Sequence, residues 1–193
     1  MMLARIISFI SNPVFIFIAL PFFLVYKTTH DTAAALSWTI YTLVFLSIFV
    51  IFVLIGVKKK FFSDIDVSKR EQRPILYFIG SVLTVLYLFI LFLLHAPRIL
   101  FITTFGIMLG ILIASLINMK IKASVHVAAI SGLLTSLSII YKGYYLFLLL
   151  LIFIIGWSRV KIKRHTVPEV VIGGILGSLL SLIMYFITKS VYP

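Results

Sequence analysis

Long runs of apolar residues alternate with short polar stretches along the whole chain. Uncharged apolar runs of about 18 or more residues are typical of helices that cross a bilayer. The pattern predicts seven such segments, at about residues 10–27, 33–57, 74–94, 99–118, 124–141, 144–157 and 168–188. Two of the seven are short for a hydrocarbon core of about 30 Å. Pro13 and Pro21 interrupt the first segment, and Pro74 opens the third, as proline commonly does at a first helical position.

Composition supports the interpretation as a membrane protein. Hydrophobic residues make up 63% of the 193 positions, charged residues make up only 11%, and the mean hydropathy is +1.25. We therefore expect a single all-α domain over residues 1–193, a polytopic transmembrane bundle of six or seven helices. We also expect that the first helix is retained and is not a cleaved signal peptide. The absence of cysteine excludes disulfides, thiolate metal sites and a cysteine nucleophile.

A cluster of ionisable residues lies between the sixth and seventh segments. This stretch combines a cluster of cations with one histidine and one carboxylate: Arg159, Lys161, Lys163, Arg164, His165 and Glu169. Such a combination suggests an anion that is held while the imidazole attacks it. Glu169 follows His165 by about one helical turn, so its carboxylate can orient the ring as in a catalytic triad. The helix dipole alone is the other explanation for an acid in a first helical turn.

Two further loops on the same predicted side of the membrane carry polar groups. Ser124 and His126 lie at the start of the fifth segment, where free backbone N–H groups can bind phosphate oxygens. The longest polar stretch of the chain, Lys58 to Arg73, precedes the third segment. A histidine at the membrane boundary and a solvated run of charges are the plainer explanations for these two loops.

The stretch around His165 resembles the third signature of the type-2 phosphatidic acid phosphatase superfamily. These proteins are integral-membrane lipid phosphatases related to vanadium haloperoxidases. The signature consists of Ser-Arg, five residues, His, three residues and an acid, and it matches Ser158, Arg159, His165 and Glu169. The family normally has Asp where this chain has Glu169. With the other two loops included, the resemblance spans roughly residues 66–173.

The other two signatures match less completely. The second, Pro-Ser-Gly-His, keeps Ser124 and His126 but has lost the proline and the glycine. The first, Lys, six residues and Arg-Pro, keeps Arg73 and Pro74 but has Asp66 at the lysine position. The missing cation is expected from Lys69 or Arg70, each within one helical turn of Arg73.

The resemblance implies a metal-independent phosphatase that needs no cofactor and forms a covalent phosphohistidine. His165 would be the nucleophile, Glu169 would orient it, and His126 would protonate the leaving group and later activate water. The phosphate would be held by residues of all three signatures: Arg73, Arg159, Ser124 and Lys69 or Arg70. The expected substrate is a lipid phosphate or diphosphate, such as phosphatidate, phosphatidylglycerophosphate or polyprenyl diphosphate.

Two other classes of function stay open. Asp64 and Asp66 form an Asp-x-Asp pair of the kind that binds Mg²⁺ and diphosphate in prenyl- and phospho-transferases. The three departures from the family signatures, at Asp66, Val125 and Glu169, are compatible with a transporter or lipid-binding membrane protein that has lost catalysis.

The basic residues predict the orientation of the chain in the membrane. Of the 17 Lys and Arg residues, 13 lie on the side of the three loops described above. The bias persists, at nine against four, after removal of four candidate phosphate-binding residues: Lys69, Arg70, Arg73 and Arg159. Positively charged loops favour the cytoplasm, so we expect a multi-pass protein of the cell membrane with these loops inside. Because aromatic and basic residues form no platform for bases, the net charge of +12 indicates anionic lipid and not nucleic acid.

Overall fold

The computed structural model of the chain describes residues 1–141, 143 and 146–191. In this part of the chain the structure is all-helical, as expected. It contains eight α-helices: α1 Met2–Ile10, α2 Pro13–Thr29, α3 Thr32–Lys58, α4 Arg73–Leu93, α5 Arg98–Asn118, α6 Val125–Ile140, α7 Leu150–Lys161 and α8 Val167–Val191. Two short 3₁₀ helices, Arg70–Gln72 and Leu146–Leu149, precede α4 and α7. Lys142, part of the predicted turn after the fifth segment, lies outside the described residues.

Five helical stretches of the described chain are long and apolar enough to cross a membrane. They are Met2–Thr29, Thr32–Lys58, Arg70–Leu93, Arg98–Asn118 and Val167–Lys189. The fifth and sixth predicted segments are the short ones, since α6 has 16 residues and α7 has 12. At 1.5 Å per residue, α6 is about 24 Å long, less than the thickness of the hydrocarbon core. The chain is thus a helical integral membrane protein with several spans.

The prolines of the first segment act differently from one another. Pro13 starts α2, and the Asn12 Oδ1 atom accepts a hydrogen bond from Val14 N at 3.0 Å, which separates α2 from α1. Pro21, which was expected to interrupt the segment, lies inside a continuous α2. Helix α1 was not predicted as a separate element. It buries two small residues, Ala4 and Ser8, and packs against α7.

The contacts divide the chain into two compact units. One consists of residues 17–118, and the other of residues 1–16 and 119–193. The first unit has an apolar core around Val25, Ala35 and Leu91, all fully buried. A second small core in this unit, with Phe62 and Val67, holds the polar loop between α3 and α4.

The second unit is built on a parallel pair of helices, α6 and α8. Ser124 contacts α8 near Gly173, and Ala128 contacts it near Gly177. Further along, the Ser181 hydroxyl donates to the Gly132 carbonyl at 2.7 Å. Each step of four residues on α6 is therefore matched by four residues on α8, and both helices start at the same end of the unit. α7 connects them and runs back to that end.

Small residues allow α6 and α8 to approach closely. A Cβ atom at Gly177 would overlap Ala128 O and the Ser131 hydroxyl. Hydroxyl pairs then join the helices, at 3.2 Å between Thr135 and Ser178 and at 3.0 Å between Ser136 and Ser181. Close packing of small residues, reinforced by hydrogen bonds, is how helices associate where water is absent. Gly173 and Gly177 thus serve the close packing of α8 against α6.

Candidate active site

The turn between α7 and α8 brings Arg159 and His165 together. The sixth segment was predicted to end near residue 157, but α7 continues further, so Arg159 lies in its last turn. The helix ends in a Schellman motif with Lys163 at a left-handed φ of 60°. Arg164 N donates to Arg159 O at 3.0 Å, and Lys163 N donates to Val160 O at 2.9 Å. His165 N also donates to Arg159 O, at 3.3 Å. The five residues that separate Arg from His in the signature therefore form the end of this helix.

The imidazole of His165 is paired with Glu169. The distance between His165 Nδ1 and Glu169 Oε2 is 2.9 Å, and the His165 side chain is only 2% exposed. Because an ionised carboxylate only accepts hydrogen bonds, a neutral ring makes this contact with its proton on Nδ1, and its lone pair is then on Nε2. Nε2 is the nitrogen that can act as a nucleophile.

The first turn of α8 explains why the acid is glutamate. Glu169 Oε2 also accepts a hydrogen bond from Thr166 N at 3.1 Å. Thr166 precedes the helix and Glu169 is its third residue, so the two form half of a capping box. That motif uses Glu or Gln, whose longer side chain reaches back to the N-cap amide. One carboxylate therefore starts the helix and also orients His165.

The second signature loop is attached to the same turn of α8. Ser124 N donates to Glu169 O at 3.0 Å, and Gly173 leaves room for this contact because a Cβ there would lie 2.6 Å from Ser124 O. Ser124 is completely buried, and its hydroxyl makes no hydrogen bond within the described chain. His126, also buried, is in the first turn of α6. The structure thus brings Ser124, His126 and the His165–Glu169 pair to one end of the unit.

Arg159 has a partner that sequence reasoning missed. Arg159 is 3% exposed, and its Nη1 atom donates to the Ser8 hydroxyl on α1 at 2.6 Å. The two residues are 151 positions apart in the chain. A signal was present, since Ala4 and Ser8 are small residues one turn apart on an otherwise bulky apolar helix. The pattern indicates a packed face, but nothing in it indicates the arginine.

Lys122 is the second residue that was missed. Its Nζ atom donates to the Arg164 carbonyl at 2.9 Å and lies 4.0 Å from Glu169 Oε2. The side chains of Lys122 and Glu169 are 17% and 16% exposed, so the ion pair is largely shielded from water. From the sequence, Lys122 was only one of the 13 basic residues on the side of the three loops. Its position two residues before Ser124 was the one indication that it lies near the site.

The residues of the first signature belong to the other unit, residues 17–118. Arg73 is 4% exposed, and its Nε atom donates to the Val67 carbonyl at 3.1 Å. Arg70 lies in the preceding 3₁₀ helix, 4.0 Å from the carboxylate of Glu71. Lys69 is the residue before that helix and is exposed.

The Asp-x-Asp pair of the same loop has local hydrogen-bond partners. The Asp64 carboxylate accepts hydrogen bonds from Asp66 N at 3.0 Å and from the Ser68 hydroxyl at 2.9 Å. These contacts are those of an aspartate that stabilises a turn. Within the described residues, no group of three or more His, Asp or Glu side chains is placed to hold a metal ion.

The site has the electrostatic character of an anion-binding site. The N-termini of α6 and α8 lie together, and the positive ends of two helix dipoles therefore point towards one region. Lys122 adds a cationic side chain beside Glu169, which is the carboxylate bonded to the histidine, and the buried Arg159 lies in the last turn of α7. Such an arrangement can hold a phosphoryl group close to a neutral imidazole.

Comparison with known proteins identifies no relative. No protein-family model matches the chain, and neither a curated protein nor a solved structure matches it significantly.

Proposed function

We propose that the protein is a membrane lipid phosphatase that hydrolyses a lipid phosphate or diphosphate through a phosphohistidine intermediate. The observation that carries the proposal is the 2.9 Å contact between His165 Nδ1 and Glu169 Oε2 at the shared N-terminal end of α6 and α8. A buried imidazole with a carboxylate on one nitrogen is oriented for nucleophilic attack through the other. Helix N-termini and cations next to it favour a phosphoryl group as the target.

Each step has a residue to perform it. The His165 Nε2 lone pair forms a bond to phosphorus as the bond from phosphorus to the leaving oxygen breaks, and His126 supplies the proton to that oxygen. Glu169 stabilises the positive charge that develops on the ring. Water, deprotonated by His126, then displaces His165 from phosphorus and releases inorganic phosphate. Arg159 stabilises charge on the phosphoryl oxygens once its guanidinium turns from Ser8 towards them.

A lipid is favoured over a soluble substrate by the depth of the site. His165 lies two residues before α8, and Ser124 lies one residue before α6. Both helices belong to the apolar part of the chain, so the site is within about one helical turn of the hydrocarbon boundary. A phosphorylated headgroup reaches this depth without leaving the bilayer.

Inhibition by orthovanadate is the test of the proposed mechanism. Vanadate forms a trigonal-bipyramidal adduct with an imidazole and thereby imitates the phosphoryl-transfer transition state, so we expect it to inhibit strongly. The measurement is phosphate release from a panel of lipid phosphates by the purified protein, with and without vanadate. Addition of EDTA serves as the comparison and is expected to change nothing. Activity that requires added Mg²⁺ would instead favour the transferase hypothesis and the aspartates Asp64 and Asp66.

A non-catalytic lipid-binding or transport protein is the second candidate. The observation that favours it is the buried hydrogen bond between Arg159 and Ser8, since an arginine that only holds α1 against α7 would look the same. Under this hypothesis the whole lipid panel gives no phosphate, with or without metal, while lipid phosphates still bind.

The site is proposed to face the cytoplasm, and the two ends of α8 allow a direct test. Lys163 lies just before α8 and Lys189 lies near its other end, so single cysteines at these positions report opposite sides of one span. The cysteine-free chain gives no background. In intact cells, a membrane-impermeant thiol reagent should label Lys189→Cys and leave Lys163→Cys unlabelled until the cells are opened. The opposite pattern would place the site outside. Tyr192, near the C-terminal end of the sequence, is also suited to this test, but it lies outside the described residues.

A further inference from the structure

Lys122 connects the loop before α6 with two parts of the site that lie about 40 residues further along the chain, the turn before His165 and the first turn of α8. It belongs to the loop before α6, its Nζ atom donates to the carbonyl of Arg164 at 2.9 Å, and it lies 4.0 Å from Glu169 Oε2. Arg164 is the residue before His165, so Lys122 holds both the peptide that positions the histidine and the carboxylate that orients it. None of the three signatures includes this lysine.

We propose that Lys122 is a positioning residue for the His165–Glu169 pair, a role that rests on the function proposed above. Its ammonium group lies beside the shielded carboxylate of Glu169 and keeps that carboxylate directed at His165 Nδ1. Its hydrogen bond to Arg164 fixes the backbone at which the imidazole is attached. Lys122 thus acts on the histidine through two neighbours and is not required to touch the phosphoryl group.

The physical need for such a cation follows from burial. Glu169 is 16% exposed, and an ionised carboxylate that has lost most of its water needs a compensating charge or several hydrogen bonds. The neutral His165 and the Thr166 amide supply two hydrogen bonds but no charge. Lys122 supplies the charge. Without it, the proton of the neutral imidazole is held less strongly on Nδ1, because the position of that proton depends on the bond to the carboxylate.

Because the chain has no native cysteine, a cysteine introduced at position 122 is the only thiol that can be alkylated. Two alkylated side chains that differ only in their terminal group can then be compared. Lys122→Cys can be alkylated with 2-bromoethylamine, which rebuilds a side chain of nearly the length of lysine with its ammonium group. Alkylation with 2-bromoethanol builds a side chain of the same length that donates a hydrogen bond but carries no charge. Comparison of the two products in one protein preparation separates the charge of Lys122 from its hydrogen bond and from its volume.

The kinetic result expected is a change in kcat. Unmodified and hydroxyethylated Lys122→Cys should hydrolyse the best lipid phosphate of the panel about tenfold more slowly than the unaltered protein, with little change in KM. The aminoethylated form should recover most of the rate. Recovery by the hydroxyethyl group, or a rise in KM with kcat unchanged, would overturn the proposal, because the latter indicates direct binding of phosphate.

A second measurement does not depend on activity. In protein labelled with ¹⁵N in the imidazole rings, the His165 signals are identified by their loss in His165→Ala. At a pH where the ring is neutral, the unaltered and aminoethylated proteins should show the tautomer protonated at Nδ1. The hydroxyethylated protein should show a measurable population protonated at Nε2, and identical spectra for the two products would contradict the positioning role. If no lipid phosphate is hydrolysed by the unaltered protein, the proposed function fails, while this spectroscopic comparison still decides the role of Lys122.

Discussion

His165→Ala is expected to lower phosphate release by roughly 10⁴-fold or more, since it removes the proposed nucleophile. The protein should still insert and fold. The His165 ring is held by Glu169 and packs at the end of the unit, away from the apolar seam of α6 and α8. The measurement combines phosphate release with thermal unfolding in detergent.

The matched control for this substitution is His30→Ala. His30 is an exposed histidine in the turn between α2 and α3, in the other unit of the chain. Its replacement should leave phosphate release unchanged. A rate for His165→Ala close to that of the control would exclude a phosphohistidine mechanism.

Gly173→Ala is expected to damage both stability and activity, although it adds only one methyl group. The new Cβ atom would lie 2.6 Å from Ser124 O and 3.2 Å from Ser124 N. Both atoms are backbone and cannot rotate away, so the second signature loop must separate from α8. Overpacking of this kind costs about 1–3 kcal/mol. The shift also breaks the hydrogen bond between Ser124 N and Glu169 O, which we expect to reduce phosphate release by at least tenfold.

The neighbouring glycine provides the control. A Cβ at Gly174 would meet its nearest atoms, on Val127 and Ile152, at the ordinary distance of 3.7 Å. Gly174→Ala should therefore be neutral, or stabilise α8 by about 0.5–1 kcal/mol through the helix propensity of alanine. Equal unfolding temperatures for the two variants would contradict the close approach of Ser124 to Gly173.

The spans could be predicted from the sequence because hydrophobicity is a local property. A run of apolar residues that is long enough to cross the bilayer forms a helix whatever its neighbours are, since every backbone polar group must be satisfied inside it. The helix ends were harder. The break at Pro13 was visible in the sequence, but the continuation of α7 beyond residue 157 to an end at a left-handed lysine, Lys163, was not.

Within the candidate site, the sequence determined the contacts that span one turn. His165 and Glu169 are four residues apart across a helix start, and local geometry alone brings their side chains together. The departure from Asp to Glu at position 169 was visible in the sequence. Its reason, the hydrogen bond to Thr166 N, became clear only once the first residue of α8 was known.

Tertiary structure alone decided which distant residues join this pair. The attachment of Ser124 to Glu169 depends on the parallel packing of α6 against α8. The bond from Arg159 to Ser8 depends on the packing of α1 against α7, and the position of Lys122 depends on the path of the loop before α6. Such pairs follow no period along the chain, because they arise from the registers in which whole helices pack. The proposed nucleophile and its carboxylate are therefore local features of the sequence, whereas the groups that surround them are set by the fold.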